Sequence, residues 1–305
     1  ASRGGSVSSD QTVCSGSQPA TLTLSGNNGS IIKWQKSSDA AFTSPTDIAN
    51  TTATLTGSQV GNITSTTYVR AVVQSYSNPT ANSSYATISL SAEPTYANLQ
   101  YPASGTICQT GTFNAYGQIY QAGVTDPAGS SSAITAQFGY STSNSDPSTW
   151  TDWSVATFNA QYGNNDEYTY AFNPPSSGTY YYTFRYRKDA CSWQYGGYSS
   201  IGGGYWNGTT NVSGVLNVNS ASASGTASVA NSSLCSGSST TLSLSGNTGT
   251  IQWQQSLNGT SGWTNVTGGS GATTSSYTTP NLTVTTYYRA VVTSDVCSAA
   301  NSNTV

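Results

Sequence analysis

Residues 235–256, CSGSSTTLSLSGNTGTIQWQQS, and residues 285–305, TTYYRAVVTSDVCSAANSNTV, decide the fold. Leu242 and Leu244 alternate with Ser and Thr, and Ile251 and Trp253 alternate with Gln252 and Gln254. A period of two sends successive side chains to opposite faces of a strand, and no run here has the 3.6-residue period of a helix. SGNTG reads as the turn between the first two strands, and 287–292, rich in Tyr and Val, as a third. Trp253, mid-strand between polar neighbours, belongs to a core.

The same pattern occurs near the start of the chain, as CSGSQPATLTLSGNNGSIIKWQKS from Cys14 and TTYVRAVVQSYSNPTANSSYATISL from Thr66. Internal repetition therefore sets the architecture. Trp34 matches Trp253, and Tyr68 matches Tyr287; both tyrosines are expected to anchor their hydroxyls on the preceding corner, as tyrosine corners of β-sandwiches do. The reading is all-β, three tandem immunoglobulin-like antiparallel β-sandwiches: a repeat cassette over 1–92, a larger Tyr- and Trp-rich sandwich over 93–220, and a second cassette over 221–305. ASRGGS at the start and SASASG at 220–225 read as linkers, the second short enough to set neighbours end to end with limited swing. Aligning the cassettes puts Val305 opposite Ala86, so the last strand is expected to stop about four residues early. Either a longer repetitive polypeptide continues from there or a neighbouring molecule completes the strand.

In the middle segment the strand candidates are 112–122, 134–140, 153–159, 167–172, 179–188 and 212–218, separated by turn signals such as TDPAG, NSDPS, GNND and NPPSSG. Composition narrows the function. Of 305 residues only 6% are charged, with a net charge of -3 and no basic stripe, which argues against nucleic-acid partners. No run approaches the roughly 20 apolar residues of a membrane-spanning helix. The chain has no His, so Ser-His-Asp triads and His-ligated metals are ruled out. With no Met, the sequence reads as a processed product or a segment.

Five cysteines without metal-like spacing indicate an oxidising, extracellular or cell-surface setting. Cys235 with Cys297, and Cys108 with Cys191, are the expected bridges. The first would staple two loops at one end of the last sandwich. Cys14 loses its partner, because Asn78 stands where Cys297 stands in the other cassette; a buried thiol and an intermolecular bond are its two readings. Asp126, Asp146, Asp152, Asp166, Glu167 and Asp189 fall in turn motifs, which suits capping better than a glycosidase pair facing one sugar bond. Asn165, Asp166 and Glu167 in GNNDEY are a Ca²⁺ candidate beside the plain turn reading, and no other cofactor is expected. Trp193, Tyr195, Tyr198, Tyr205 and Trp206, in Gly-rich sequence, either present rings to a flat ligand such as a sugar or seal a core poor in aliphatics.

The cassette CSGS…LSGNxG…WQ.S…TTYxRAVV, over 7–90 and 228–305, resembles the immunoglobulin-like repeats of giant secreted surface proteins of Bacteroidota, including the gliding-motility adhesins exported by the type nine secretion system. The middle segment, with NLQYPASGTI, YGQIYQAGVTD, GTYYYTFRYR and NVSGVLNV, is similar to a β-sandwich module of secreted proteins in the same bacteria. The resemblance implies a non-catalytic structural or adhesive segment of a long extracellular protein or filament. Its expected partners are copies of itself, neighbouring repeats or surface glycans. The competing expectation is a carbohydrate-binding accessory of a secreted polysaccharide-degrading enzyme, for which an exposed aromatic ladder would speak.

Overall fold

A computed structural model describes residues 1–189 and 191–305. The first sandwich is built from β1 (Ser6–Val7), β2 (Gln11–Val13), β3 (Leu22–Ser25), β4 (Ser30–Ser37), β5 (Thr46–Ile48), β6 (Thr54–Leu55), β7 (Thr67–Gln74) and β8 (Ala81–Leu90). They form one sheet in the order β1-β3-β6 and a second in the order β2-β8-β7-β4-β5. Alternation, shifted by one residue at a bulge between Ile31 and Lys33 of β4, puts Leu22, Leu24, Ile31, Trp34, Val69, Ala71, Val73, Ala86 and Ile88 inward, all buried. Trp34 is fully buried and its indole Nε1 donates to the Thr52 carbonyl at 3.1 Å, so it has the core role expected of it.

The middle sandwich comprises β9 (Tyr96–Ala97), β10 (Ser104–Cys108), β11 (Phe113–Tyr120), β12 (Ile134–Ser141), β13 (Asp152–Val155), β14 (Thr157–Tyr162), β15 (Asn165–Phe172), β16 (Gly178–Lys188), β17 (Gln194–Gly197), β18 (Gly204–Tyr205) and β19 (Gly214–Asn219). Its sheets run β10-β19-β16-β12-β13, with β17 and β18 attached to β16, and β14-β15-β11-β9. The expected single strand over 153–159 is two strands in different sheets. The chain changes sheet at Ala156, whose amide is taken by the Ala136 carbonyl at 3.0 Å. Aromatics fill the space that aliphatics fill in the cassettes: Phe138 lies 4.8 Å from Tyr170 and 5.3 Å from Phe172, ring to ring, and edge-on to Phe184.

The third sandwich consists of β20 (Ala223–Val229), β21 (Thr241–Thr248), β22 (Thr250–Ser256), β23 (Thr264–Asn265), β24 (Ser276–Thr278), β25 (Tyr287–Thr293) and β26 (Ala300–Asn301). Its sheets are β20-β21-β24 and β23-β22-β25-β26. Trp253 is fully buried, donating to the Thr274 carbonyl at 2.9 Å as Trp34 does to Thr52. The turn before β22 requires glycine: Gly249 has φ 122°, and a Cβ there would come within 2.6 Å of the Thr293 backbone, as one at Gly29 would of Gln74.

Two expectations fail in the cassettes. Both glycine-containing linkers are partly built into the sandwiches. Arg3 bridges to Asn28, a Cβ on Gly4 would collide with the Asn82 carbonyl, and 223–225 open β20. The repeat thus begins earlier than Cys14: Ser2 and Ser222 accept equivalent amide bonds, from Ser75 and Ser294. Nor do the tyrosines act as corner anchors. Tyr68 packs edge-on to Tyr85 at 5.4 Å, and Tyr287 is 37% exposed. By contacts the chain divides into two compact units, 1–95 with 120–135 and 186–194, and 96–119 with 136–185 and 195–305.

Candidate functional site

The cysteines are the first feature that sequence reasoning misplaced. The bridges are Cys14–Cys191 and Cys108–Cys297, and Cys235 is free and exposed. Neither expected pair forms, and strand geometry says why. β21 leads away from Cys235, β22 returns, and β25, antiparallel to β22, leads away again to Cys297. The two cysteines therefore sit at opposite poles, separated by the seven residues of β25, roughly 23 Å of extended chain. A disulfide needs Cα atoms within about 7 Å. Cys108 and Cys191 are separated in the same way: Cys108 is level with Asn219, beside the Gly178 end of β16, while Cys191 follows the other end of that eleven-residue strand.

Each bridge ties a cassette to the middle segment. In the first unit Cys14 follows β2, and the neighbourhood is reinforced by polar contacts. Lys188 Nζ donates to the Ser91 hydroxyl at 2.9 Å and pairs with Asp189 at 2.6 Å, and Gln194 donates to Glu93 at 3.1 Å. Hydrogen bonding from Lys188 holds the Asp189 carboxyl below the usual carboxylate range. In the second unit Cys297 is buried, and beside it Asn219 donates to Asp295 at 2.7 Å. Asp189 and Asp295, the acids of the two junctions, both adopt left-handed backbone, with φ 53° and 46°. Asp tolerates that conformation better than most residues.

Of the aromatic run, Tyr195 and Trp193 pack through their rings, and Tyr198, Tyr205 and Trp206 are tied in through their backbones. Tyr195 in β17 packs 5.7 Å from Trp153, which in turn lies 5.9 Å from the buried Trp150. Trp206 donates its amide to the Tyr195 carbonyl, and Tyr205 pairs with Gly196 across β17 and β18. Tyr198 bridges to Val212. Trp193 belongs to the other unit, where the Arg187 guanidinium lies 4.4 Å over its ring. All five rings are half-buried.

The carboxylates separate into two groups. Asp146 caps a short 3₁₀ turn, accepting from the Ser148 amide at 2.8 Å, as its turn motif suggests. Asp166 and Glu167 differ from the turn reading: both are fully buried in β15, a regular strand paired with β11 and β14. Adjacent strand residues face opposite sides of a sheet, so Asp166 and Glu167 cannot share one cation or one sugar bond. Glu167 is held by Asn159 at 2.6 Å, and Asn165 donates to Gln118 at 3.1 Å. Burial, with the Asp166 charge adding to it, pushes the neighbouring Tyr168 phenol well up. Among the described residues no three His, Cys, Asp or Glu side chains gather as a metal site.

One recurring cluster escaped the sequence reading. In each sandwich an Arg is held by a Gln and stacked on an aromatic ring. The Arg70 side chain donates to Gln35 at 3.0 Å over Phe42, Arg185 to Gln137 at 2.8 Å over Trp153, and Arg289 to Gln254 at 3.1 Å over Trp263. The repeated WQ and RAVV phrases carried the signal in the cassettes, since Gln35 faces Arg70 and Gln254 faces Arg289 across paired strands. These half-buried stacks are built for packing, as guanidinium planes on rings are.

At 12% identity the chain is similar to domains A168–A170 of titin (all of this chain, 97% of that one, TM-score 0.37) and to the chicken CNTN1 FN1–FN3 domains (all of this chain, 98% of that one, TM-score 0.30). It is also similar, at 12% identity, to fibronectin(III)-like modules of Clostridium thermocellum CbhA (70% of this chain, 92% of that one, TM-score 0.31). No curated protein matches. A family model matches residues 3–92 and 223–305, the two cassettes and more than half of the sequence, and the chain belongs to that family, described as a domain of unknown function, DUF8696.

Proposed function

We propose that this chain is a non-catalytic segment of a long extracellular surface protein or filament, structural or adhesive in role. The observation that carries this reading is the interleaving of the two bridges, in which 108 lies inside the loop closed by Cys14–Cys191 and 191 inside the loop closed by Cys108–Cys297. A chain pulled from its ends is then limited by its shortest covalent route: Ala1 to Cys14, across to Cys191, back to Cys108, across to Cys297, and on to Val305. At ~3.6 Å per residue that route spans about 370 Å, against about 1,100 Å for the open chain. Two-thirds of the polypeptide is thereby shielded from extension, which serves a tether and has no evident use in catalysis. The bridges enclose separations of 177 and 189 residues, and on the chain-entropy model each is worth on the order of 5 kcal/mol. Persistent disulfides suit an oxidising, extracellular location, and the cassette resemblance supports a surface protein of the Bacteroidota adhesin kind.

Single-molecule stretching between the termini tests the reading. The oxidised protein is expected to reach a final contour about one-third of that reached after reduction, and Cys14→Ser or Cys108→Ser to give intermediate values. Equal contours with and without reductant would sink the tether role.

A further inference from the structure

The outer face of the β14-β15-β11-β9 sheet carries a buried carboxylate with no ionic partner. Residues directly opposite one another in a sheet share a face. Glu167 lies opposite Gln118 of β11; one step along, Thr169 lies opposite Tyr116, and one step back, Asn165 lies opposite Tyr162 of β14. Tyr168 and Phe172 of the same strand turn into the core with Ile119, so Glu167 belongs to the other face. Tyr101 bridges to Tyr116 there and stacks on it, with ring centroids 4.5 Å apart. Glu167 is nonetheless fully buried: Asn159 donates to one carboxylate oxygen, and the other, Oε2, is buried without a hydrogen-bond partner. Among the described residues the ion pairs are Lys33–Asp47 and Lys188–Asp189, and neither involves Glu167. Beside it stand exposed rings, Tyr101 at 43% and Tyr162 at 54%. Burial, followed by the Glu167 charge and the phenols of Tyr116 and Tyr162, raises the Tyr101 phenol, which sets these four groups close together.

We propose that this face binds a quaternary ammonium group of the choline kind, seated on the Tyr101 and Tyr162 rings with the Glu167 carboxylate as its counter-charge. Buried charges are ordinarily paired, and a carboxylate without its cation favours one brought from outside. Oε2 is closed to solvent, so a ligand on the rings feels its charge without taking its lone pair. That discriminates among cations. A primary ammonium or a metal ion gives up strongly held water and needs oxygen atoms in return, whereas a methylated ammonium needs none and is attracted by the faces of aromatic rings. Sugar hydroxyls are disfavoured on the same ground, since the carboxylate oxygen is sealed and Gln118 Oε1 already accepts from Asn165. All the residues of the site belong to one compact unit.

The probe is choline, titrated into the oxidised 305-residue protein and followed by nuclear magnetic resonance. Saturable binding in the millimolar range is expected, with shifts concentrated at Tyr101, Tyr162 and Thr169. Neohexanol, the uncharged carbon isostere of choline, should bind about tenfold more weakly or not at all. Glu167→Gln keeps the acceptor for Asn159 and removes the charge, and Tyr101→Leu removes an exposed ring. Each should weaken choline about tenfold, while Tyr101→Phe keeps the ring and stays within about twofold of the wild type. Should Glu167→Gln fail to fold, the two Tyr101 variants and neohexanol carry the test. Vesicles of phosphatidylcholine separate the sources: retention of the protein on them assigns a lipid head group, and choline binding without retention assigns the free ion. Absent saturation, equal binding of neohexanol, or wild-type affinity in Glu167→Gln or Tyr101→Leu overturns the site. None of these outcomes bears on the tether role, which the stretched contour alone decides.

Discussion

The first and third sandwiches are two copies of one cassette with different amounts of the same structure. Their inner cores agree nearly side chain for side chain: Trp34 with Trp253, Ala71 with Ala290 and Val73 with Val292, all fully buried. Even the irregular contacts recur, with Ser83 and Ser302 each accepting the amide of the matched alanine at 2.9 and 2.8 Å. They part at one edge, where Ile88, Leu90 and β2 close the first sandwich and the third has an open groove. Sequence repetition therefore sets the common core, to which Ile88, Leu90 and β2 add an edge in the first copy. The comparison yields three tests within the chain itself, each with the other sandwich as its control.

The largest effect is expected at Ile88. Ile88→Ala empties a fully buried position, and such truncations cost about 2–5 kcal/mol, through lost burial and a cavity that relaxes only in part. Val305→Ala in the third sandwich, at the rim of a space already open, should cost under about 1.5 kcal/mol. Amide exchange resolved to β7 and β25 reads the two losses separately. Equal losses would mean that the groove is a closed core and that the two edges are alike.

How much of this could be read beforehand depends on whether the physics was local. Alternation in TLSL, IQWQQ and YYRAVV marked β21, β22 and β25, because period-two burial is written into adjacent residues. The strand break at Ala156 was not visible, since 153–159 alternates smoothly through a change of sheet. Cysteine pairing was misread for want of a parity count. With one antiparallel return between departure and arrival, Cys235 and Cys297 had to lie at opposite poles. The strand candidate at 167–172 began two residues late, and the burial of Asp166 and Glu167 had no local sign, because GNND reads as a turn whether or not strands flank it. Whether the rings of the aromatic run pack was not local either, since partners as distant in sequence as Trp153 decide that Tyr195 packs.

A smaller effect is expected at the arginine stacks. Arg70→Ala and Arg289→Ala each remove a Gln–Arg bond and a cation-π contact of 4.0 and 4.4 Å, together about 1–2 kcal/mol for half-buried groups. Matched losses in the two sandwiches, measured in urea, would show that the faces of the sheets are equivalent and that only the edges differ. A much larger loss in the third would show that its open edge leaves it dependent on surface contacts.

The smallest effect concerns acid. The first sandwich carries two carboxylates whose counterparts in the third are amides. Asp47 pairs with Lys33 at 2.7 Å and accepts from Gln35, where Asn265 stands opposite Gln254; Asp39 accepts from Thr43 and Ser37, where Asn258 sits against Ser256. Lys33 holds the Asp47 carboxyl below its ordinary range, and the Thr43 amide does the same for Asp39. A carboxyl whose folded value is depressed contributes stability that is fully present above its unfolded value, near 4, and is lost as pH falls through the folded one. Acidification from pH 5 toward pH 2 should therefore weaken the first sandwich relative to the third, by a modest margin because both groups are open to solvent. Asp47→Asn with Asp39→Asn should flatten the difference and leave the third sandwich unchanged. If amide exchange in β25 instead accelerates as much as in β7, the acid sensitivity belongs to groups common to both copies, and the amide substitutions are not what separates them.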